Sequence, residues 1–251
     1  MFTLNCFVIK EMPAGESSKR IYVLTKEMGI ISVFVRGGMK SSKYSSATQL
    51  YAYSVICAEE KRNAKGEKYY YLNSAESISM FYELRLDVYK ASLAAYFTEL
   101  LFYSRIEGNT DNNEVMRLTL NTFYYLNEGK KDRELLKSIF EFRLLCEIGF
   151  RPNLIGCSVC YKYEDDRMFF DPYSGDLKCE SCNAEENSAA DMVLDKNLLY
   201  IVRHISLTDL ERLFAIRISP KYQKLLTDFT EGYVKFHYQC SFDTLAFYKS
   251  L

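Results

Sequence analysis

Over roughly the first 75 residues, apolar and polar positions alternate in short runs broken by turn residues. "TLNCFVIK" (3–10), "KRIYVLT" (19–25), "IISVFVRG" (30–37), "LYAYSVICAEE" (50–60) and "KYYYLNSAE" (68–76) follow this pattern, and "EMPAGESS", "KEMG" and "KRNAKGE" punctuate them. A period of two bounded by turns predicts half-buried strands. Five such strands is the count of an OB-fold barrel, although a small open sheet would use the same letters.

Beyond Ala75 the apolar period lengthens to that of a helix. "SMFYELRLDVYKASLAAYFTELLFYSR" (79–105) repeats apolar residues at Leu84, Val88, Ala91, Ala95 and Leu100 with no Gly or Pro, which predicts one long helix. "NEVMRLTLNTFYYLNEG" predicts a second, closed by Gly129. "DRELLKSIFEFRLLCEIG" predicts a third, with Asp132 as cap and Gly149 past its end. Helical patterning resumes in "KNLLYIVRHIS" (196–206), in "TDLERLFAIRI" with Thr208 and Glu211 at capping-box spacing, and after Ser219–Pro220. The expected architecture is α+β: a five-stranded OB-fold barrel over residues 1–79, then a helical domain over 80–251, interrupted at 157–182 by a four-cysteine hairpin.

That interruption reads "GCSVCYKYEDDRMFFDPYSGDLKCESC". Its cysteines are spaced C-x2-C, 18 residues, C-x2-C, the spacing of a zinc site. Two residues between cysteines let both sulfurs of a knuckle face one ion, and two knuckles complete a tetrahedron of thiolates. Cys157, Cys160, Cys179 and Cys182 are the expected ligands of a single structural Zn2+, with a metal-free or redox-active arrangement as the alternative. "RMFFDPYSGDLKC" predicts a hairpin joining the knuckles, with so few apolar residues that its fold is expected to depend on metal. Cys6, Cys57, Cys146 and Cys240 lie in apolar patterns and read as small buried hydrophobes.

Composition narrows the function. With 48% apolar residues in 251, four Pro and no low-complexity tract, nearly the whole chain is expected to fold. The start lacks a basic region followed by a sustained apolar run, and no window is apolar enough to span a membrane, so a cytoplasmic protein is expected. Thiols stay reduced there, which favours metal over disulfides. Only two histidines are present, His204 and His237, and no phosphate-binding or dinucleotide glycine motif occurs. The chain reads as a binder, not an enzyme.

Net charge is −1, but it divides unevenly. Residues 1–79 carry 11 Lys and Arg against 7 Asp and Glu, and residues 80–251 carry 21 against 26. A polyanion would therefore prefer the first part. Within it, "VRGGMKSSKYSS" sets Arg36, Lys40 and Lys43 around a glycine pair among hydroxyls, the groups that grip phosphates. Lys19, Arg20, Lys61, Arg62, Lys65 and Lys68 would join this surface on a closed barrel, and Tyr44, Tyr51, Tyr53 and Tyr69 to Tyr71 would offer stacking faces. The competing reading is solvated turns and half-buried packing tyrosines.

The stretches "GESSKRIYVLTKEMGIISVFVRGGMKSSK", "LNSAE" and "FEFRLLCEIGFRPNLIGCSVC" together resemble the RecO family of bacterial DNA repair proteins, over essentially the full length. The resemblance implies a non-enzymatic recombination mediator. Such a protein binds single- and double-stranded DNA, anneals complementary strands, contacts RecR and the single-strand-binding protein, and helps RecA replace the latter. By position it puts the family's basic barrel motif on Arg36, Gly37, Lys40 and Lys43, with Lys19 and Arg20 beside it, and the zinc ligands on the four cysteines. The chain departs in its near-neutral charge, with an isoelectric point of about 6.2. That departure keeps open a second reading, an adaptor whose barrel has little DNA affinity of its own.

Overall fold

The structure, a computed structural model, describes residues 1–38, 44–62, 66, 68–108, 111–186 and 192–251. Lys40, Lys43 and Lys65, expected on the basic surface, lie outside the described residues. Two compact units form, one of Met1–Lys130 with Phe242–Leu251 and the other of Lys131–Ser241. The first compact unit thus runs past residue 79 and takes in three helices beyond the barrel.

In the first unit, β1 (Phe2–Pro13), β2 (Lys19–Thr25), β3 (Gly29–Val35), β4 (Ala52–Arg62) and β5 (Lys68–Met80) close a barrel in the order β1-β2-β3-β5-β4. β1 closes it because it is long enough to pair twice. Its first half runs antiparallel to β4 and its second half to β2, with a register shift between Val8 and Lys10. The β3–β5 pairing is parallel, Val33 opposite Tyr70 and Phe34 opposite Tyr71. The predicted alternation fills the lumen: Cys6, Val8, Ile21, Val23, Ile31, Val33, Val35, Ala52, Ile56 and Leu72 form one buried cluster. An OB-fold barrel results, not an open sheet.

The expected helix over 79–105 is shorter than its periodicity suggests. β5 continues to Met80, opposite Ala52, a 3-10 turn follows at Tyr82–Arg85, and α1 starts only at Val88. The reason is Asp87, whose carboxylate accepts the Tyr89 and Lys90 amides and satisfies two of the donors a helix start leaves open. α1 (Val88–Tyr103) and α2 (Asn113–Glu128, ended by Gly129) pack on the barrel through rings of Phe7, Tyr51, Phe81, Phe97 and Phe123, with Phe7 and Phe123 centroids 4.7 Å apart. α8 (Asp243–Ser250) returns to α1, where Phe242 meets Tyr96 edge-on at 5.8 Å.

In the second unit, α3 (Arg133–Leu145) is capped by Asp132 as expected and runs into a π-turn at Cys146–Phe150. β6 (Arg167–Asp171) and β7 (Asp176–Cys179) form the expected hairpin, and α4 (Glu180–Glu186) carries the last cysteine. β8 (Met192–Asp195), which the periodicity did not suggest, adds a third strand beside β6. α5 (Lys196–Leu207), α6 (Leu210–Leu213) and α7 (Pro220–Tyr238) complete the unit. Thr208 does not cap α6: its hydroxyl lies 3.3 Å from His204 Nδ1, and Asp209 takes the cap position.

Candidate nucleic-acid interface and metal centre

The barrel's outward positions assemble a face that no single segment of sequence contains. Arg20 stands opposite Phe34 across β2–β3, Phe34 opposite Tyr71 across β3–β5, and Tyr71 opposite Glu59 across β5–β4. The Phe34 and Tyr71 rings lie 4.9 Å apart, with Tyr69 6.2 Å beyond Tyr71 and the Lys61 ammonium 4.6 Å from the Tyr71 ring. Phe34, Tyr69 and Tyr71 are half-buried, so part of each side chain reaches solvent. Arg20 is exposed, as is Arg36 one residue past β3, beside Gly37 with its φ of +67°. The arrangement is cationic side chains around stackable rings, the pairing that holds single-stranded nucleic acid.

Other expected members of this surface are otherwise engaged. Lys19 is 5% exposed and bonded to Glu11 and to the Thr48 carbonyl, so its ammonium serves the barrel itself. Lys61 and Lys68 pair with Glu59 at 2.7 Å and Glu60 at 3.3 Å. Tyr51 is buried against Phe123, and the Tyr44 hydroxyl donates to the Asn73 carbonyl. Of the expected stacking residues, Tyr69 and Tyr71 lie on the outward face; Phe34, which joins them, was missed. Its place in an apolar run marked it only as a strand residue, and its outward phase required the register.

In the second unit the four cysteines come together as their spacing predicts. The sulfurs of Cys157, Cys160, Cys179 and Cys182 all lie within 4.8 Å of one another, with Cys160 and Cys179 3.6 Å apart. A tetrahedron with metal–sulfur bonds of about 2.3 Å has edges of about 3.8 Å, so this donor set fits one ion of that kind. None of the eight cysteines is in a disulfide. Burial pushes the Cys157 thiol up, but the amides of Cys160, Cys179 and Val159 donate toward its sulfur and bring it down to about 6. A hydrogen bond with Cys179 pushes the Cys182 thiol up. By contrast, burial alone raises Cys6 to about 12, and burial outweighs a Ser206 hydrogen bond to put Cys146 at about 11, as inert core thiols require.

Local backbone bonds shape the knuckles. The Cys157 amide donates to the Lys162 carbonyl at 2.9 Å and the Tyr161 amide to the Cys157 carbonyl at 2.9 Å, closing the first turn with Tyr161 at φ +62°. The Ser158 amide donates to Leu177 on β7 at 2.8 Å, which brings the two cysteine pairs together. Arg203 of α5 holds this loop from outside. It donates to the carbonyls of Leu154 at 2.7 Å, Ile155 at 3.0 Å and Tyr163 at 2.7 Å, and its guanidinium lies 4.1 Å from the Tyr163 ring centre. Nothing in the spacing marked Arg203, which reads as one more basic residue on a helix.

The hairpin also has more apolar anchorage than its composition suggested. Met168, Phe170, Leu177 and Leu194 are all fully or almost fully buried, and the Phe170 ring sits 5.4 Å from Phe229 and 5.7 Å from Tyr233 of α7. Asp165 and Asp166 pair at the surface with Lys162 and Lys196, each at 2.8 Å.

A closed OB-fold barrel with a cationic and aromatic face, in one chain with a helical unit that gathers four thiols, is a narrow architectural class. The family model described as "Recombination protein O N terminal" matches residues 1–81, and that described as "Recombination protein O C terminal" matches residues 85–245. The DNA repair protein RecO of Caldicellulosiruptor bescii is 31% identical over 243 residues, covering 96% of this chain and 95% of that protein. RecO of Acetivibrio thermocellus is 26% identical over 245 residues, 97% and 94% of the two chains. RecO of Halalkalibacterium halodurans is 29% identical over 228 residues, 90% and 85%. The chain belongs to the RecO family, and with membership comes a role in DNA repair and recombination.

Proposed function

We propose that this chain is a recombination mediator that makes and breaks no covalent bonds. Residues 1–79 are its DNA-binding domain, taking single- and double-stranded DNA. The chain anneals complementary strands and, with RecR, helps RecA replace the single-strand-binding protein on DNA. The observation that carries this reading is the outward row Arg20–Phe34–Tyr71 with Arg36 beside it. Cations there lower the repulsion between two phosphate backbones, and the rings hold bases unstacked from their own strand until a complement arrives. Arg20, Arg36 and the Gly37 backbone are the described phosphate-binding groups, with Lys40 and Lys43 of the same segment.

Cys157, Cys160, Cys179 and Cys182 hold one structural Zn2+. Four thiolates leave no position for water or substrate, so the ion supplies folding energy to the knuckles and no reactivity. Among the described residues no helix is long and apolar enough to cross a membrane. The protein works in the cytoplasm, on the nucleoid when engaged.

Salt-titrated binding to labelled single strands tests the assignment. Phe34→Ala with Tyr71→Ala should weaken binding by about ten- to a hundredfold at unchanged salt slope, since a stacked base is worth about 1–3 kcal/mol. Arg20→Ala with Arg36→Ala should make the slope of log affinity against log salt shallower by about 0.7 for each phosphate no longer neutralised. Wild-type affinity and slope in all four substitutions together would sink the reading. The adaptor alternative draws on the net charge of −1 and on the Glu59 and Glu60 partners of Lys61 and Lys68. Association with RecR at salt concentrations where the chain has no DNA affinity would favour it.

A further inference from the structure

Lys19 is a cation in the middle of the basic face by sequence, yet it is buried and its charge is spent. Its ammonium donates to Glu11 Oε2 and to the Thr48 carbonyl, both at 2.8 Å. The other Glu11 oxygen accepts the Leu50 amide. Thr48 in turn donates from its hydroxyl to the Tyr44 carbonyl at 2.7 Å. One part-buried ion pair, with its lysine enclosed, therefore ties residues 44–50 to the barrel wall. The stem of the same lysine meets the chain at the other end of the basic segment. A Cβ added to Gly38 would lie 2.9 Å from Lys19 Cγ and 2.8 Å from Val35 Cγ1, so only glycine lets the backbone leaving β3 pass this close. Lys19 thus touches the flank that carries Arg36 and Gly37 and the flank that returns to β4.

We propose that Lys19 is a positioning residue for nucleic-acid binding and makes no phosphate contact: it fixes Arg36–Gly38 and Tyr44–Leu50 against the barrel. The proposal rests on the reading of the barrel as a DNA-binding surface. Its physical basis is that an ammonium held by a carboxylate 2.8 Å away neutralises no phosphate and so releases none of the counter-ions condensed on the nucleic acid, whereas a flank held in place has no ordering entropy left to lose on binding.

The test uses the full chain, a fluorescently labelled oligothymidylate and a range of NaCl concentrations, with Arg36→Ala as the reference for a direct phosphate ligand. Lys19→Met should weaken binding by about three- to tenfold while keeping the wild-type salt slope, and Arg36→Ala should make that slope shallower by about 0.7. Gly38→Ala, which disturbs the same packing without touching a charge, should reproduce the Lys19→Met result and serves alone if that variant fails to fold. Amide exchange across residues 44–50 should quicken in both. A Lys19→Met slope as shallow as that of Arg36→Ala would make Lys19 a direct phosphate ligand and overturn the proposal, as would wild-type affinity in both variants. If the wild-type chain binds no oligonucleotide, the DNA-binding reading has failed on its own. Exchange at 44–50 then decides the role of Lys19, and an unchanged rate overturns it.

Discussion

Removing the guanidinium of Arg203 while keeping its stem, as in Arg203→Met, should open the first cysteine knuckle without unfolding the unit. Three carbonyls lose their donor: Leu154 in a part-buried setting, Ile155 and Tyr163 where water can replace it. A hydrogen bond from a charged donor contributes about 1.5–3 kcal/mol where solvent is excluded and much less where it is not. The stacked cation on Tyr163 adds about 0.5–1 kcal/mol at an exposed position. The local loss is about 3 kcal/mol, or on the order of a hundredfold in the opening equilibrium of the loop. Hydrogen exchange read by mass spectrometry on peptides covering residues 154–164 measures this directly, because the Cys157, Ser158 and Tyr161 amides are all hydrogen-bonded within or to the knuckle. Peptides from β2 and β3 are the internal control and should exchange at wild-type rates. Exchange over 154–164 within threefold of wild type, in both metal-loaded and chelator-stripped protein, would refute the claim that Arg203 holds the loop.

Two further outcomes follow from groups whose partners are visible. Asp87→Ala should cost about 1 kcal/mol and lower the thermal midpoint of the first unit by a few degrees, while Asp87→Asn, which still caps, should not; equal midpoints for the two variants would remove Asp87 as the determinant of where α1 begins. Burial among Phe150, Tyr233 and Phe236 holds the His237 imidazole below its ordinary value of 6.5. As pH falls through that value the unfolded chain takes up the proton first, so stability should decline from neutral pH downward, and His237→Phe should flatten this decline in urea midpoints compared across the same range.

The residues that carried the family resemblance are legible because they solve local problems. Thr25 and Gly29 of the Thr-x-x-x-Gly turn are an example. The Thr25 hydroxyl donates to the Gly29 carbonyl and accepts the Met28 amide, while Gly29, at φ +62°, lets the Ile106 carbonyl come so close that a Cβ would sit 2.2 Å from it. "FRLLCEIGFRP" is a second. Arg143 donates to the carbonyls of Ile205, Ser206 and Thr208, capping the end of α5 with a cation, and Glu147 pairs with both Arg143 and Arg151. The metal centre was legible for a similar reason, since C-x2-C fixes where two sulfurs point whatever surrounds them. The start of α1 was less so: Phe81 and Leu84, three residues apart, are both buried although one follows β5 and the other lies in the 3-10 turn, which imitates a helical apolar period, and only the Asp87 cap reveals the boundary.

The binding face follows a different logic. Arg20, Phe34 and Tyr71 are far apart in the chain, and what joins them is two strand pairings, one antiparallel and one parallel. A one-residue slip in either would turn Phe34 or Tyr71 into the lumen and carry a core valine or Leu72 outward. The register is therefore as much a determinant of the site as the side chains are, and it is enforced from inside by Val33, Val35 and Leu72. The same argument separates Lys19 from Arg20. Neighbours in sequence, they point to opposite sides of β2, so one closes the barrel wall with Glu11 while the other remains for solvent or a phosphate. Adjacent positive charges in a strand are for that reason not a patch, and counting them in the sequence overestimates the surface that reaches a nucleic acid.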